Sequence, residues 1–393
     1  MRSAFVALLL VPLAACQSPS GQPATADARS ADASPAVDAR FETVASVETA
    51  AGRVDVVDVA GGLEHPWGLT FLPDGRMLVT ERSGALRIVE ADGTVSAPVA
   101  GTPEVWASGQ GGLLDVALGP DFESTGHVYL TYARSGPGGT ASTALGRGVL
   151  DGDALRDWQE LFVQSPAADG GRHFGSRIAF GPDGHLFLST GDRGQGDPAQ
   201  DLQSQIGKVL RLNPDGTVPS DNPFVGRDGD DAIWSYGHRN AQGLAFRPGT
   251  DELWETEFGP KGGDELNRVE RGLDYGWPAV SWGTEYNGDP IPNPPTEPQF
   301  RDAVAHWSPV ISPSGIAFYT ADAFPAWQGD LLIASLTKGG LVRVSLDGDE
   351  LAGEETIELG ARVREVEVGP DGLVYVLTDL PDGHIWRLEP GDG

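Results

Sequence analysis

His173 stands in the stretch DGGRHFG, flanked by Gly170, Gly171 and Gly175 and preceded by Arg172. An imidazole changes charge near neutral pH, so it can take a proton from a hydroxyl or ligate a metal. A glycine-rich turn just before the apolar run of Ile178 and Phe180 would set it at a loop tip. The residues alone leave two readings open: a general base at the mouth of a site, or a polar residue on an ordinary loop. Two further groups carry charge that could do work. Arg239 and Asn240 are adjacent in YGHRN, and Arg362 and Arg364 are two apart in ARVRE. On a strand, residues two apart share a face. Two guanidinium groups sharing one cavity are costly unless an anion fills it. The competing reading is a surface pair bonded to Glu365 or Glu367.

Several chemistries are disfavoured. The seven histidines show no metal-ligand spacing, and His127, His185 and His384 sit in hairpin-like alternation where a structural role is the default. No GxSxG elbow, phosphate loop or dinucleotide fingerprint is present. The single cysteine, Cys16, leaves the body of the chain without disulfides, cysteine-held zinc, attached c-type haem or iron–sulfur centres. A formal net charge of −30 argues against nucleic acid, whose phosphates would be repelled.

The elements that must position these groups recur along the chain. WGLTFLPDGRMLV begins at Trp67, GGLLDVALGPDF at Gly111, SRIAFGPDGHLFL at Ser176, AQGLAFRPGTDELW at Ala241, PSGIAFYTADAF at Pro313 and VREVEVGPDGLVYV at Val363. Each is a short apolar strand, a turn and a second strand, the pattern of a β-hairpin. Six such units predict the blades of a β-propeller, since no hairpin buries its own faces, and their uneven spacing implies long inter-strand loops on one face. The abundance of glycine (54) and proline (30) agrees with many turns and few helices. The alternative is a β-sandwich or two smaller β domains. GRVDVVDVA near Val54 would complete the last blade and close the ring.

The expected organisation is therefore all-β: a lipoprotein signal over residues 1–16, a flexible linker over 17–51 and a six-bladed propeller over 52–393. Arg2 followed by the apolar run Ala4–Leu13 and LAAC is laid out as a secretory signal whose cleavage would leave Cys16 lipidated. Gln17 after it favours the outer membrane, so the expected location is the periplasmic side of a bacterial membrane.

GQGGLLDVALGPDF, RHFGSRIAFGPDG, STGDRG, YGHRNAQGLAF, EFGPKGGDELN, GLDYGWP and VREVEVGPDGLVYVLTD together resemble the soluble quinoprotein glucose/sorbosone dehydrogenases, and among these the bacterial aldose sugar dehydrogenases that use pyrroloquinoline quinone (PQQ). The resemblance implies a six-bladed propeller that oxidises the anomeric hydroxyl of aldoses to aldonolactones and passes electrons to a periplasmic acceptor. It implies roles by position. His173 matches the general base. Gln110 and Asp192 match polar groups near cofactor and substrate. Arg239 and Asn240 match the pair facing the quinone, and Arg362 and Arg364 match residues gripping the cofactor carboxylates. Lys338 is the nearest match to a cofactor-binding lysine, although a gapless comparison puts Thr337 there. The carbonyls of Gly259 and Pro260 match ligands of the Ca2+ that accompanies PQQ. Glu265 and Tyr275 match carbonyl ligands of a second calcium found in some relatives. Two departures, Phe258 before GP and Arg172 before the histidine, leave the preferred sugar open. The competing readings are a non-catalytic tethered propeller used for binding or scaffolding, and a calcium-dependent lactonase. The lactonase would need side-chain carboxylates clustered around its metal, and none is evident in the sequence.

Overall fold

The computed structural model describes residues 41–391; Cys16, the signal and most of the expected linker lie outside them. Six antiparallel sheets follow one another along the chain. Their innermost strands are Pro66–Phe71, Leu113–Leu118, Gly175–Phe180, Ala241–Phe246, Pro313–Phe318 and Val363–Val368. These coincide with the six sequence units. Each packs against the next, and Val363–Val368 packs against Pro66–Phe71, so the ring is closed.

The closure is made by pairing across the chain ends. Gly52–Leu63 lies beside Gly383–Pro390 in the sheet that also holds Val374–Thr378 and Val363–Val368. The boundary expected at residue 51 does not hold, because paired structure already begins at Glu42. Glu42–Thr49 is a strand that pairs with Gly52–Leu63 through a tight turn at Ala50 and Ala51. Its half-buried Ala45 and Val47 pack on the core of this sheet. As an edge strand it exposes most of its side chains, so its composition reads as linker although its backbone is paired.

Buried aliphatic clusters lie between neighbouring sheets, as radial stacking requires. The inner strands also carry buried charge beside these apolar residues. The buried Arg177 guanidinium packs on the Trp67 ring, binds Asp115 and Glu365, and donates to the carbonyl of Gln242. With a further bond to Ser314 Oγ at 3.4 Å, one side chain from the third blade touches all five others. Among the described residues no helix is long and apolar enough to cross a membrane.

Candidate active site at the centre of the ring

The loops that lead into and out of the inner strands enclose a cavity of about 340 Å³ at the centre of the ring, within the size range of small-molecule sites. Gln110, His173, Arg239, Asn240, Gly259, Pro260, Arg362 and Arg364 all line it. Five stretches dispersed over 255 residues of chain are thus brought to one place.

His173 is 8% exposed and adopts φ +56°, an uncommon backbone for a non-glycine residue. Its N–H donates to Gln110 Oε1 at 2.7 Å. Its Nδ1 lies 2.6 Å from Asp192 Oδ1. A carboxylate there accepts a hydrogen bond from Nδ1–H, which keeps the proton on Nδ1 and leaves the Nε2 lone pair free. Burial holds the imidazole pKa below its ordinary value; the Asp192 hydrogen bond opposes this, and the Arg239 charge adds to it. His173 is therefore neutral and basic at neutral pH. Burial works against the charge on Asp192, but the hydrogen bond from His173 and the Gly194 N–H outweigh it and keep the carboxyl below the usual range. Trp277 Nε1 donates to its other oxygen at 2.8 Å. Gly191, just before Asp192, is required by close approach: a Cβ there would meet the His173 carbonyl at 2.1 Å.

Arg239 and Asn240 begin the fourth blade, and one oxygen of Glu257 accepts both of their backbone N–H groups, at 2.5 and 3.2 Å. The Arg239 guanidinium donates to the Phe258 carbonyl and to the Tyr286 hydroxyl, each at 3.0 Å. Asn240 Oδ1 accepts the Gly175 N–H, which fixes the exit of the histidine loop.

Arg362 and Arg364 do not pair with Glu365 or Glu367 at the surface. Both donate to one oxygen of Asp379, at 3.1 and 2.8 Å. Burial disfavours the Asp379 charge, yet the two arginines drive its pKa well below the usual range. Arg364 also donates to Gln242 Oε1 at 2.7 Å. Arg82 joins the wall, so four arginines face two carboxylates, Asp264 and Asp379. In a chain of charge −30 this is a local excess of positive charge. The buried Nε atoms of Arg239 and Arg364 have no hydrogen-bond partner among the described residues. Unsatisfied cationic donors around a cavity fit an anionic ligand.

The metal-ligand expectations can be weighed in the same way. Gly259 and Pro260 line the cavity beside Asp264. Asp264 accepts N–H groups from Gly259 at 2.9 Å, Ile311 at 2.8 Å and Ser312 at 2.6 Å. Burial raises its pKa to about 6 despite these bonds. A hard-oxygen set of two carbonyls beside a carboxylate fits calcium. Glu265 and Tyr275 lie away from this cavity and line a small adjoining one of about 10 Å³ with Glu257 and Gly263, room for a single water-sized occupant. Next to it, Glu255, Glu257 and Glu265 converge on Asn267. Glu255 Oε1, Asn267 Oδ1 and His238 Nδ1 are buried without a hydrogen-bond partner among the described residues. Burial and mutual repulsion push Glu255 and Glu265 well above the usual range. These oxygen donors fit a second cation.

Lys338 is not brought in. It is exposed in the turn after Leu331–Ser335, and Leu336 lines the cavity instead. Sequence reading missed Arg82, Asp264, Tyr286 and Asp379 in the wall. It also missed the carboxylate cluster, which arises because Glu257 pairs with Glu265 and Glu255 with Asn267 across two strands. Alternating polar residues in ETE and DELN were the available signal. A second cavity of about 310 Å³ opens on the other side of His173 and shares Arg239, Pro260 and Tyr286 with the first. Its remaining wall includes Arg172, Asp192, Gln195, Asp197, Trp277 and Glu285.

Comparison with known proteins agrees with this geometry. A profile of the Glucose / Sorbosone dehydrogenase family matches residues 63–387. The chain is 43% identical over 349 residues to the aldose sugar dehydrogenase YliI of Escherichia coli, covering 87% of this chain and 94% of that protein. The crystal structure of the soluble E. coli aldose sugar dehydrogenase in its apo form superposes with a TM-score of 0.82 at 41% identity, covering 86% of this chain and all (100%) of that one. The PQQ-bound aldose sugar dehydrogenase of Streptomyces coelicolor superposes with a TM-score of 0.72 at 33% identity, over 88% of this chain and 99% of that one.

Proposed function

The chain belongs to the glucose/sorbosone dehydrogenase family, and from that footing we propose that it is a PQQ-dependent aldose sugar dehydrogenase which oxidises the anomeric hydroxyl of an aldose to the aldonolactone. The observation that carries this reading is the coincidence, in one cavity, of a neutral buried histidine with four arginines. A scaffold would have no need to gather those charges, and a lactonase would hold its metal with carboxylates at the reacting centre.

Arg239, Arg362 and Arg364 would hold the tricarboxylate, with the carbonyls of Gly259 and Pro260 supporting a calcium ion at its edge. When bound, PQQ supplies the two-electron acceptor for the hydrogen on the anomeric carbon. The protein supplies position and proton handling. His173 Nε2 takes the proton of the anomeric hydroxyl. Asp192 keeps the other ring nitrogen protonated and stabilises the imidazolium that forms. Arg239 places positive charge beside His173, which favours electron density moving toward the cofactor side of the cavity. The sugar enters over the second cavity, where Arg172, Gln195, Asp197 and Glu285 offer hydrogen bonds and Trp277 an aromatic surface. Glu265 and Tyr275 would border the second calcium.

The signal-like residues 1–16, ending in LAAC, support a lipid anchor at Cys16 on the periplasmic side, in the outer membrane, with electrons passing to a periplasmic acceptor. The test is to add PQQ and calcium to the purified apoprotein and assay dye reduction across a panel of aldoses. Turnover should require both additions and fall about 10²-fold or more in His173→Ala while PQQ binding persists. Turnover that persists in His173→Ala removes the histidine from its assigned role.

A further inference from the structure

We propose that Arg193 is a positioning residue for the general base, holding the backbone of the His173 loop while its neighbour Asp192 holds the ring. The inference rests on His173 being the base. Arg193 is 2% exposed and adopts φ +56°. Among the described residues its guanidinium makes no hydrogen bond to a carboxylate. Nε donates to the Arg172 carbonyl at 3.0 Å, Nη1 to the Ala141 carbonyl at 3.0 Å and Nη2 to the Gly170 carbonyl at 2.5 Å. The guanidinium carbon lies 3.6 Å from the centre of the Phe174 ring. Two of these carbonyls precede His173, and the ring belongs to the residue that follows it. A single side chain therefore grips the loop on both sides of the histidine.

The arrangement is costly on its own terms. Burial brings the Arg193 pKa down to about 10, with only the nearby Asp192 charge opposing that shift. A buried cation spent on neutral carbonyls contributes less to stability than an ion pair, and a well-packed apolar residue would cost less. What the guanidinium supplies is a planar fork of donors with fixed directions. That suits a loop whose central residue has an uncommon backbone conformation, which persists only where its surroundings over-determine it. Gln110 at the His173 N–H, Asp192 at Nδ1 and Arg193 at the flanking carbonyls together fix the loop, and the last two are consecutive in the chain.

The test uses the full chain with 15N-labelled histidine and the variants Arg193→Gln and Arg193→Lys. In the apoprotein the Nδ1 proton of His173, bonded to Asp192, gives a signal that needs no cofactor. That signal should shift or broaden in both variants, more in Arg193→Gln. With PQQ and calcium added, kcat should fall roughly 10- to 100-fold in Arg193→Gln. The lysine variant should fall between this and the parent, because one ammonium can reach only some of the three carbonyls. KM for the sugar and the affinity for PQQ should stay within about threefold, since Arg193 lines neither cavity. Parent-like kcat and an unchanged imidazole signal in both variants would overturn the proposal. So would a loss of PQQ affinity as large as the loss of kcat, which marks a merely structural role. If Arg193→Gln does not fold, the lysine variant alone decides on the same two readouts. Failure of the base assignment shows separately, as turnover that survives His173→Ala while the Arg193 variants still move the imidazole signal.

Discussion

Asp192 Oδ1 stands 2.6 Å from Nδ1 of His173, and the other Asp192 oxygen is held by the Trp277 indole at 2.8 Å. The carboxylate is thus fixed on both oxygens and determines which imidazole nitrogen carries the proton. Replacing it with asparagine removes the charge that stabilises the imidazolium and allows the amide to donate to the ring. Asp192→Asn should lower kcat about 10²-fold or more and leave PQQ affinity nearly unchanged. Steady-state kinetics beside a PQQ titration checks this; parallel loss of both would show that Asp192 serves the cavity rather than the base.

The pH profile follows from the lowered pKa of His173. The base works when neutral, so activity is lost as pH falls through its pKa. Because burial and the Arg239 and Arg172 charges depress that value, the acid limb of kcat/KM should lie below the ordinary histidine value of about 6.5. Arg172→Ala removes one depressing charge and should move the limb to higher pH. A limb that stays put or moves down contradicts the assignment of that limb to His173.

Arg172 should also matter to the sugar. It lines the second cavity, and among the described residues its guanidinium makes one hydrogen bond, a long one to the Gly194 carbonyl at 3.4 Å. Arg172→Ala is expected to raise KM for aldoses severalfold, a change worth about 1 kcal/mol for an exposed hydrogen bond, with PQQ affinity unaltered. Unchanged KM across the aldose panel would place the sugar elsewhere.

The arginine pair and the lysine give opposite expectations. Arg364 is buried, faces the cavity and carries an unpartnered Nε. Arg364→Gln should weaken PQQ binding roughly 10- to 100-fold, the loss of a charge-assisted hydrogen bond, and should lower the melting temperature because Asp379 loses a partner. Lys338→Ala should change PQQ affinity by less than about twofold, because an exposed side chain outside the wall has little to lose. Isothermal titration of both variants separates the two cases.

How far the sequence foretold all this depends on the range of the interactions involved. The six hairpins were legible because each carries its own signal: alternation, then a turn at residues such as Pro73–Gly75 or Pro182–Gly184. Ring closure by the run near Val54 was legible because that apolar run precedes the first hairpin unit and belongs to none of the six. The strand Glu42–Thr49 was not, since an exposed edge needs few apolar residues. Within the site, His173, Arg239 and Arg364 stood in distinctive motifs. Asp379 and Arg82 did not, for their meaning comes only from facing other blades. Lys338 lies outside the wall for a related reason: motif spacing does not say which residues of a turn face inward, and here Leu336 lines the cavity while Thr337 and Lys338 are exposed. Arg193 sat in plain view in STGDRG, but its three carbonyl partners are fixed by loop shape.

The most direct measurement is a single turnover followed by absorbance. Full-length protein loaded with PQQ and calcium is mixed with an aldose with no electron acceptor present. The oxidised quinone signal should bleach once, to the extent of one PQQ per chain, with one aldonolactone formed, and should return when acceptor is added. Failure of PQQ to bind at micromolar concentration, or a bound quinone signal that no aldose bleaches, would contradict the assignment of this cavity to sugar oxidation.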